Sequence, residues 1–306
     1  MQKLKVIFMG TPSYATVILE GLLKSNFVDV IALFTQEDKP VGRKKILTPP
    51  DTKRFLLEKG YDLPIFQPKR LRDEENVKII KDLNPDFIIV AAYGQILPKS
   101  ILDIAPCINL HASVLPKYRG ASPIQDAIKN GDKFSGVTAM LMDVGLDTGD
   151  ILGISFMDIE DLNAPELFEK LSYLAKDLTL DTLKKYERLL PLKQNALLAT
   201  HCKKIKKEDG IIDFTDAKSL YHTYLAYFYW PNIFLKSGLK LKKISLNDEK
   251  SLNEKGKILA VEKDHIVVGC QKGSLKIFQV QPPSKKEMPV VDYLRGKRLS
   301  VGDTLL

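Results

Sequence analysis

Cysteine is scarce in this chain. Cys107, Cys202 and Cys270 are the only three among 306 residues, far apart and outside any CxxC pair. That excludes a disulfide framework and a zinc pattern, so free thiols are expected. Long apolar runs are lacking too. No stretch approaches the roughly 20 residues that cross a bilayer, and the apolar part of the opening MQKLKVIFMGTPS is shorter than a signal peptide's. A soluble, cytoplasmic protein without a membrane partner is the expectation. Glycine is missing where a dinucleotide fingerprint needs it: GTPSYA, residues 10–15, supplies one of the three glycines of GxGxxG. No Walker loop and no GxSxG elbow occur. NAD, nucleoside triphosphate and serine-hydrolase chemistry are therefore disfavoured, and Gly10 reads as a turn residue at the rim of a sheet.

What is present begins with size: 306 residues at 44% hydrophobic content can bury one large core or two ordinary ones. The net charge of +8 is unevenly spread. Residues 1–200 carry 26 Lys and Arg against 26 Asp and Glu, and residues 201–306 carry 20 against 12, so the last third holds all of the excess. Such a local field suits a polyanion, nucleic acid most plainly, or simply a Lys-rich solvated surface.

LKVIFM (4–9), VDVIALFT (28–35), FIIVAAYG (87–94), PCINLHAS (106–113), GVTAMLMD (136–143) and DILGISFMDI (150–159) read as strands. Helical spacing follows the first, with Ser13 as its cap, and recurs over 73–83, 123–130 and 164–188. Continuous apolar strands alternating with amphipathic helices predict an α/β fold: a Rossmann-like, mostly parallel sheet covered by helices on both faces. Residues 190–206 are irregular and Lys-rich and read as a linker. Beyond them, KLKKISL (240–246), GKILAVEKDHIVVGC (256–270), GSLKIFQVQP (273–282) and the final RLSVGDTLL are short strands with Gly- and Lys-rich turns, and only SLYHTYLAYF (219–228) looks helical. That spacing predicts a small, OB-like β-barrel. The expected organisation is a first domain over 1–189 and a basic second domain over 207–306.

Two segments stand out chemically. In INLHASVLPKYRGASP (108–123), Asn109 and His111 are two apart on a strand and share one face, directly before a loop broken by Pro, Lys, Arg and Gly. They sit at the carboxyl end of their strand, where open α/β sheets bind ligands. The alternative is a core histidine satisfied by a neighbouring Asn. In MDVGLDTGDIL (142–152), Gly145 and Gly149 bracket Leu-Asp-Thr; the D-x-D-x-D-G order of a calcium loop is absent, which leaves a solvated turn or a presented Asp147. An Asn, a His and an Asp with no Ser or Cys nucleophile in a recognised motif suit oxyanion stabilisation and proton transfer, as when an external amine attacks an acyl donor. Each oxyanion donor in such a site lowers the barrier by roughly 2.7–4 kcal/mol.

The run Asn109 to Pro123 resembles the signature of the folate-dependent formyltransferases, and GLDTGDIL (145–152) resembles their second signature at the expected distance. The resemblance implies Asn109, His111 and Asp147 as the catalytic set, Ser113, Val114, Leu115 and Pro116 as contacts of the folate, and AAYGQILP (91–98) as pocket backbone. It implies 10-formyltetrahydrofolate as co-substrate and no metal. The match runs the length of the chain and is closest to the branch that formylates initiator methionyl-tRNA for translation initiation. There FTQEDKPVGRKKILTPP (34–50) is similar to an inserted basic loop that grips tRNA, with Arg43, Lys44 and Lys45 at its tip. KIKKEDGIIDF (204–214) and QPPSKKEMPVVDYLRGKRL (281–299) resemble the carboxyl-terminal domain that lies against the tRNA. Lys44 stands where a glycine is common, His201-Cys202 replaces a usual Tyr-Ala, and only the Trp-Pro core of an Asn-Pro-Trp-Pro stretch is kept. A monomer is expected.

Overall fold

A computed structural model describes residues 2–42 and 44–305. Arg43 therefore lies outside the described residues. In chain order the first elements are β1 (Leu4–Gly10), α1 (Ser13–Leu23), β2 (Val28–Phe34), a hairpin of β3 (Lys39–Val41) and β4 (Ile46–Thr48), α2 (Asp51–Lys59), β5 (Ile65–Phe66), α3 (Glu74–Leu83), β6 (Phe87–Ala91), α4 (Lys99–Leu102), β7 (Cys107–His111), β8 (Arg119–Gly120), α5 (Pro123–Lys129), β9 (Phe134–Leu141), β10 (Ile151–Asp158) and α6 (Ala164–Lys185). Seven of the strands form one sheet in the order β10-β9-β7-β6-β1-β2-β5. β5, β2, β1, β6 and β7 are parallel, and β9 and β10 add antiparallel to the β7 edge.

The apolar runs behave as continuous strands should in a sheet covered on both faces. Val6, Ile7, Phe8 and Met9 are each 0% exposed although successive side chains point to opposite faces. On one face, Ile7, Met9, Phe34, Ile88 and Val90 share a core with Ile80 of α3 and Ile101 of α4. Each such side chain contributes about 1.5–3 kcal/mol by leaving water. The order of connection reverses between β1 and β6, which places the ends of these strands at the topological switch where α/β sheets bind ligands. Ser13, expected as the cap of the first helix, is its first residue instead. Pro12 takes the cap position and has no side-chain acceptor.

The chain divides into two compact units: Met1–Pro123 with Phe134–Asp158 and Phe168–Cys202, and Ile124–Lys133 with Ile159–Leu167 and Lys203–Leu306. The 190–206 stretch, which lacks any sequence period, carries specific bonds within the first unit. Ile151 and Leu192 exchange backbone hydrogen bonds at 2.8 and 2.9 Å, and β11 (His201–Cys202) pairs in parallel with β8. Isolated bridges of this kind leave no periodic mark.

In the second unit, α7 (Ala217–Ala226) precedes an antiparallel sheet of β12 (Ile233–Phe234), β13 (Lys240–Asp248), β14 (Ile258–Val261), β15 (Ile266–Gly269) and β16 (Ser274–Gln281), in the order β12-β13-β16-β15-β14. β17 (Met288–Pro289) extends β16 beyond the end of β15. Among the described residues β12 and β14 do not pair, so the pairing gives an antiparallel sheet with two ends. RLSVGDTLL, read as a strand, forms among its described residues one isolated bridge, Lys257 to Thr304. A helix that the sequence pattern did not reveal, α8 (Val290–Lys297), precedes it. Its eight residues include Gly296, so the apolar period is too short to register. Among the described residues no helix is long and apolar enough to cross a membrane.

Candidate active site

β7 delivers Asn109 and His111 to the carboxyl end of the sheet, and the loop between β9 and β10 delivers Asp147. Residues 143–146 of that loop are exposed, but the chain turns inward at Asp147, which is 9% exposed and adopts a left-handed φ of 54°. Aspartate tolerates that conformation better than most residues. Its Oδ2 accepts the Gly120 N–H at 2.9 Å. Its Oδ1 lies 3.4 Å from Asn109 Nδ2, which donates to it, and 3.6 Å from His111 Nδ1. The three residues therefore meet through one carboxylate oxygen.

Both contacts of Oδ1 are long, the second beyond a hydrogen bond. Asn109 Nδ2 and His111 Nδ1 are therefore only weakly engaged by Asp147. The imidazole is oriented by another group. Its Nε2 lies 2.9 Å from the Tyr118 carbonyl oxygen, and since a carbonyl only accepts, Nε2 carries the hydrogen. Nδ1, the other ring nitrogen, faces Asp147. The ring is 6% exposed, while Asn109 is half-buried. Behind the strand, the Tyr14 hydroxyl donates to the Leu110 carbonyl at 3.3 Å, and burial raises its pKa far above the phenolic range.

The 113–120 loop is fixed from several sides. Ser113 Oγ donates to the Lys117 carbonyl, and Thr138 Oγ1 donates to the Ser113 carbonyl while accepting the Leu115 N–H. The four residues expected to touch folate separate accordingly: Ser113 and Leu115 are turned into the protein at 0% and 2% exposure, and Val114 and Pro116 are partly open. In the 91–98 loop, Ala92, Gly94 and Ile96 are exposed and Ala91, Tyr93 and Leu97 are buried. Thr11 and Gln36 side chains both donate to the Tyr93 carbonyl, at 3.0 and 3.1 Å, which anchors this loop at the switch point. Lys44 and Lys45 are exposed on the turn between β3 and β4. Among the described residues no group of three His, Cys, Asp or Glu could hold a metal ion.

Sequence reasoning missed the backbone partners Tyr118 and Gly120 and two side chains, Arg119 and Gln194. Arg119, 7% exposed, donates from Nε and Nη2 to Gln194 Oε1 at 3.1 and 2.7 Å. Gln194 Nε2 donates to the carbonyls of Asp147 and Gly149 at 2.9 and 2.7 Å. Nothing in an aperiodic stretch marks such a residue.

The formyl transferase family model matches residues 2–178, and the formyl transferase C-terminal domain model matches residues 204–298. This chain is a member of the formyl transferase family. Within the family it is 59% identical over 302 residues to the methionyl-tRNA formyltransferase of a Nitratiruptor species, covering 98% of this chain and 99% of that one. The formyl transferase fold also appears in the crystal structure of WlaRD, a sugar 3N-formyl transferase, at a TM-score of 0.68 and 17% identity, over 94% of this chain and 100% of the other. HypX from Aquifex aeolicus in complex with tetrahydrofolic acid aligns at a TM-score of 0.63 and 15% identity over 99% of this chain, which spans 49% of HypX.

Proposed function

We propose that this formyl transferase moves a formyl group from 10-formyltetrahydrofolate to the free amino group of initiator methionyl-tRNA, producing formylmethionyl-tRNA for translation initiation in the cytoplasm. The observation that carries the reading is the meeting of Asn109 Nδ2 and His111 Nδ1 at Asp147 Oδ1, at 3.4 and 3.6 Å, in a chain of this family. The near full-length identity to a methionyl-tRNA formyltransferase supports tRNA as the acceptor.

The neutral amine attacks the formyl carbon, a C–N bond forms, and the carbonyl oxygen becomes an oxyanion. Asn109 Nδ2–H and a protonated His111 Nδ1 donate to that oxyanion from positions now taken up by Asp147 Oδ1. Collapse breaks the bond to N10 of the folate. Net, one proton leaves the attacking nitrogen and one arrives at N10; Asp147 Oδ1, directly or through water, is the base that takes the first. Tyr118 orients the ring, which leaves Asp147 its charge and its proton-accepting oxygen as its contribution. Val114, Pro116 and the exposed Ala92, Gly94 and Ile96 face the folate, while Ser113 and Leu115 support the loop from behind. Residues 1–189 form the catalytic part. Arg43, Lys44 and Lys45 and the basic residues 207–306 hold the tRNA through its phosphates.

The test is transfer of labelled formyl from 10-formyltetrahydrofolate, offered charged initiator tRNA and an amino sugar nucleotide in separate reactions. Label is expected in methionyl-tRNA, with release of tetrahydrofolate. Label only in the sugar nucleotide would reassign the acceptor, and no tetrahydrofolate release with either would remove the enzymatic reading.

A further inference from the structure

Gln194 lies between the two segments that the family models match, in a run where every neighbour from Pro191 to Leu198 is exposed and Gln194 alone is half-buried. Its amide is fully engaged. Two N–H bonds go to the carbonyls of Asp147 and Gly149, and two guanidinium N–H groups of Arg119 converge on its oxygen. Arg119 has no carboxylate within ion-pair distance among the described residues, so this amide oxygen is what satisfies a buried cation. The chain carrying Gln194 is held on both sides. Leu192 pairs with Ile151, Thr200 accepts the Tyr118 and Arg119 N–H groups through its hydroxyl and carbonyl, and the Cys202 carbonyl accepts the Ala121 N–H.

These bonds join the two loops whose relative position defines the site. One, 118–120, supplies the carbonyl that orients His111 and the N–H that fixes Asp147 Oδ2. The other carries Asp147 itself, in a left-handed conformation (φ 54°) that turns its carboxylate inward from an exposed loop. Gln194 grips the second loop at the Asp147 carbonyl and the first at Arg119. We propose that Gln194 is a positioning residue that sets the distance between the Asp147 carboxylate and His111, acting through Asp147 without touching substrate. The inference rests on the reaction assigned above for its kinetic readout only.

Gln194→Ala would strand the Arg119 cation and risks failing to fold. Gln194→Glu keeps length and an acceptor for Arg119 but replaces Nε2, and with it both N–H donors, by one oxygen facing two carbonyls. Expected for Gln194→Glu is a thermal midpoint within about 3 °C of wild type, a kcat lower by about 10- to 100-fold, and KM values for both substrates changed by less than about threefold. Amide exchange over residues 145–149 should accelerate. Placed on Asp147→Asn in single turnovers, Gln194→Glu should cost less than about threefold more, because its effect passes through a carboxylate already removed. A kcat within threefold of wild type overturns the proposal, as does full multiplication of the two losses in the double variant. Unchanged exchange at 145–149 overturns it too, whichever substrates the protein uses, so that failure is separable from a wrong acceptor.

Discussion

The corner around Asp147 and the basic hairpin are both loop regions of the first unit, yet they are built in opposite ways. Around Asp147 short bonds fix the chain on two sides, the Gly120 N–H on its carboxylate and Gln194 on its carbonyl. The β3–β4 hairpin has only three-residue strands, all but Thr48 exposed, with Val41, Ile46 and Leu47 at 56%, 63% and 65% exposure. It is secured at its base, where Asp38 accepts from Lys53 at 2.9 Å and from Gln67 at 2.7 Å. Chemistry on one carbonyl needs donors fixed to tenths of an ångström. Attraction for a polyanion needs charge held out in solvent.

The largest expected effect is at the corner. Asp147→Asn should lower turnover by about 10²- to 10⁴-fold, measured at saturating substrates, with thermal unfolding showing a folded protein. Next is a contrast of two glycines, read by chemical denaturation. At Gly120, φ is 121° and an added Cβ would lie 2.2 Å from the Cys202 carbonyl oxygen, so Gly120→Ala should cost about 3–5 kcal/mol. At Gly42, φ is 73° with nothing within 4 Å, so Gly42→Ala should cost only about 1 kcal/mol. Equal costs would show that the corner is no more tightly built than the hairpin.

How far this contrast was readable in advance differs between the two places. The main strands and the sheet class were legible because apolar runs and turn glycines are local signals, whereas a period of two and turn glycines only made Asn109, His111 and Asp147 candidates, and the family resemblance was needed to group them. The bonds that hold the set were not legible. Tyr118 and Gly120 act through backbone atoms, which carry no residue identity, and Gln194 reaches Asp147 across 47 positions of chain. Of four adjacent residues expected to meet folate, alternation along the chain turned Ser113 and Leu115 inward, and only the fold of the loop decides which pair that is. The helix Val290–Lys297 escaped because eight residues with an internal glycine give too little period.

A smaller effect is expected at the hairpin tip. Lys44→Glu with Lys45→Glu should raise KM for tRNA by about tenfold and leave KM for the folate unchanged, and the wild-type tRNA KM should climb steeply with salt. Unchanged tRNA KM would detach the hairpin from nucleic acid. The smallest concerns its base. Hydrogen bonds from Gln67, then from Lys53, hold the Asp38 carboxyl below its ordinary value of 3.8. A depressed carboxylate contributes stability that is full above the ordinary value and is lost as pH falls through the lower one. Exchange of the 39–48 amides should therefore accelerate on acidification below about pH 4, and Asp38→Asn should remove that dependence.

The most direct measurement compares single-turnover formyl transfer by Asn109→Ala, Asp147→Asn and the double variant at saturating substrates. Side chains that share one oxygen and act as a unit lose their effects non-additively: the double variant should be no more than about threefold slower than the slower single variant. Losses that multiply in full, or a single variant that transfers formyl at the wild-type rate, would contradict a site organised around Asp147.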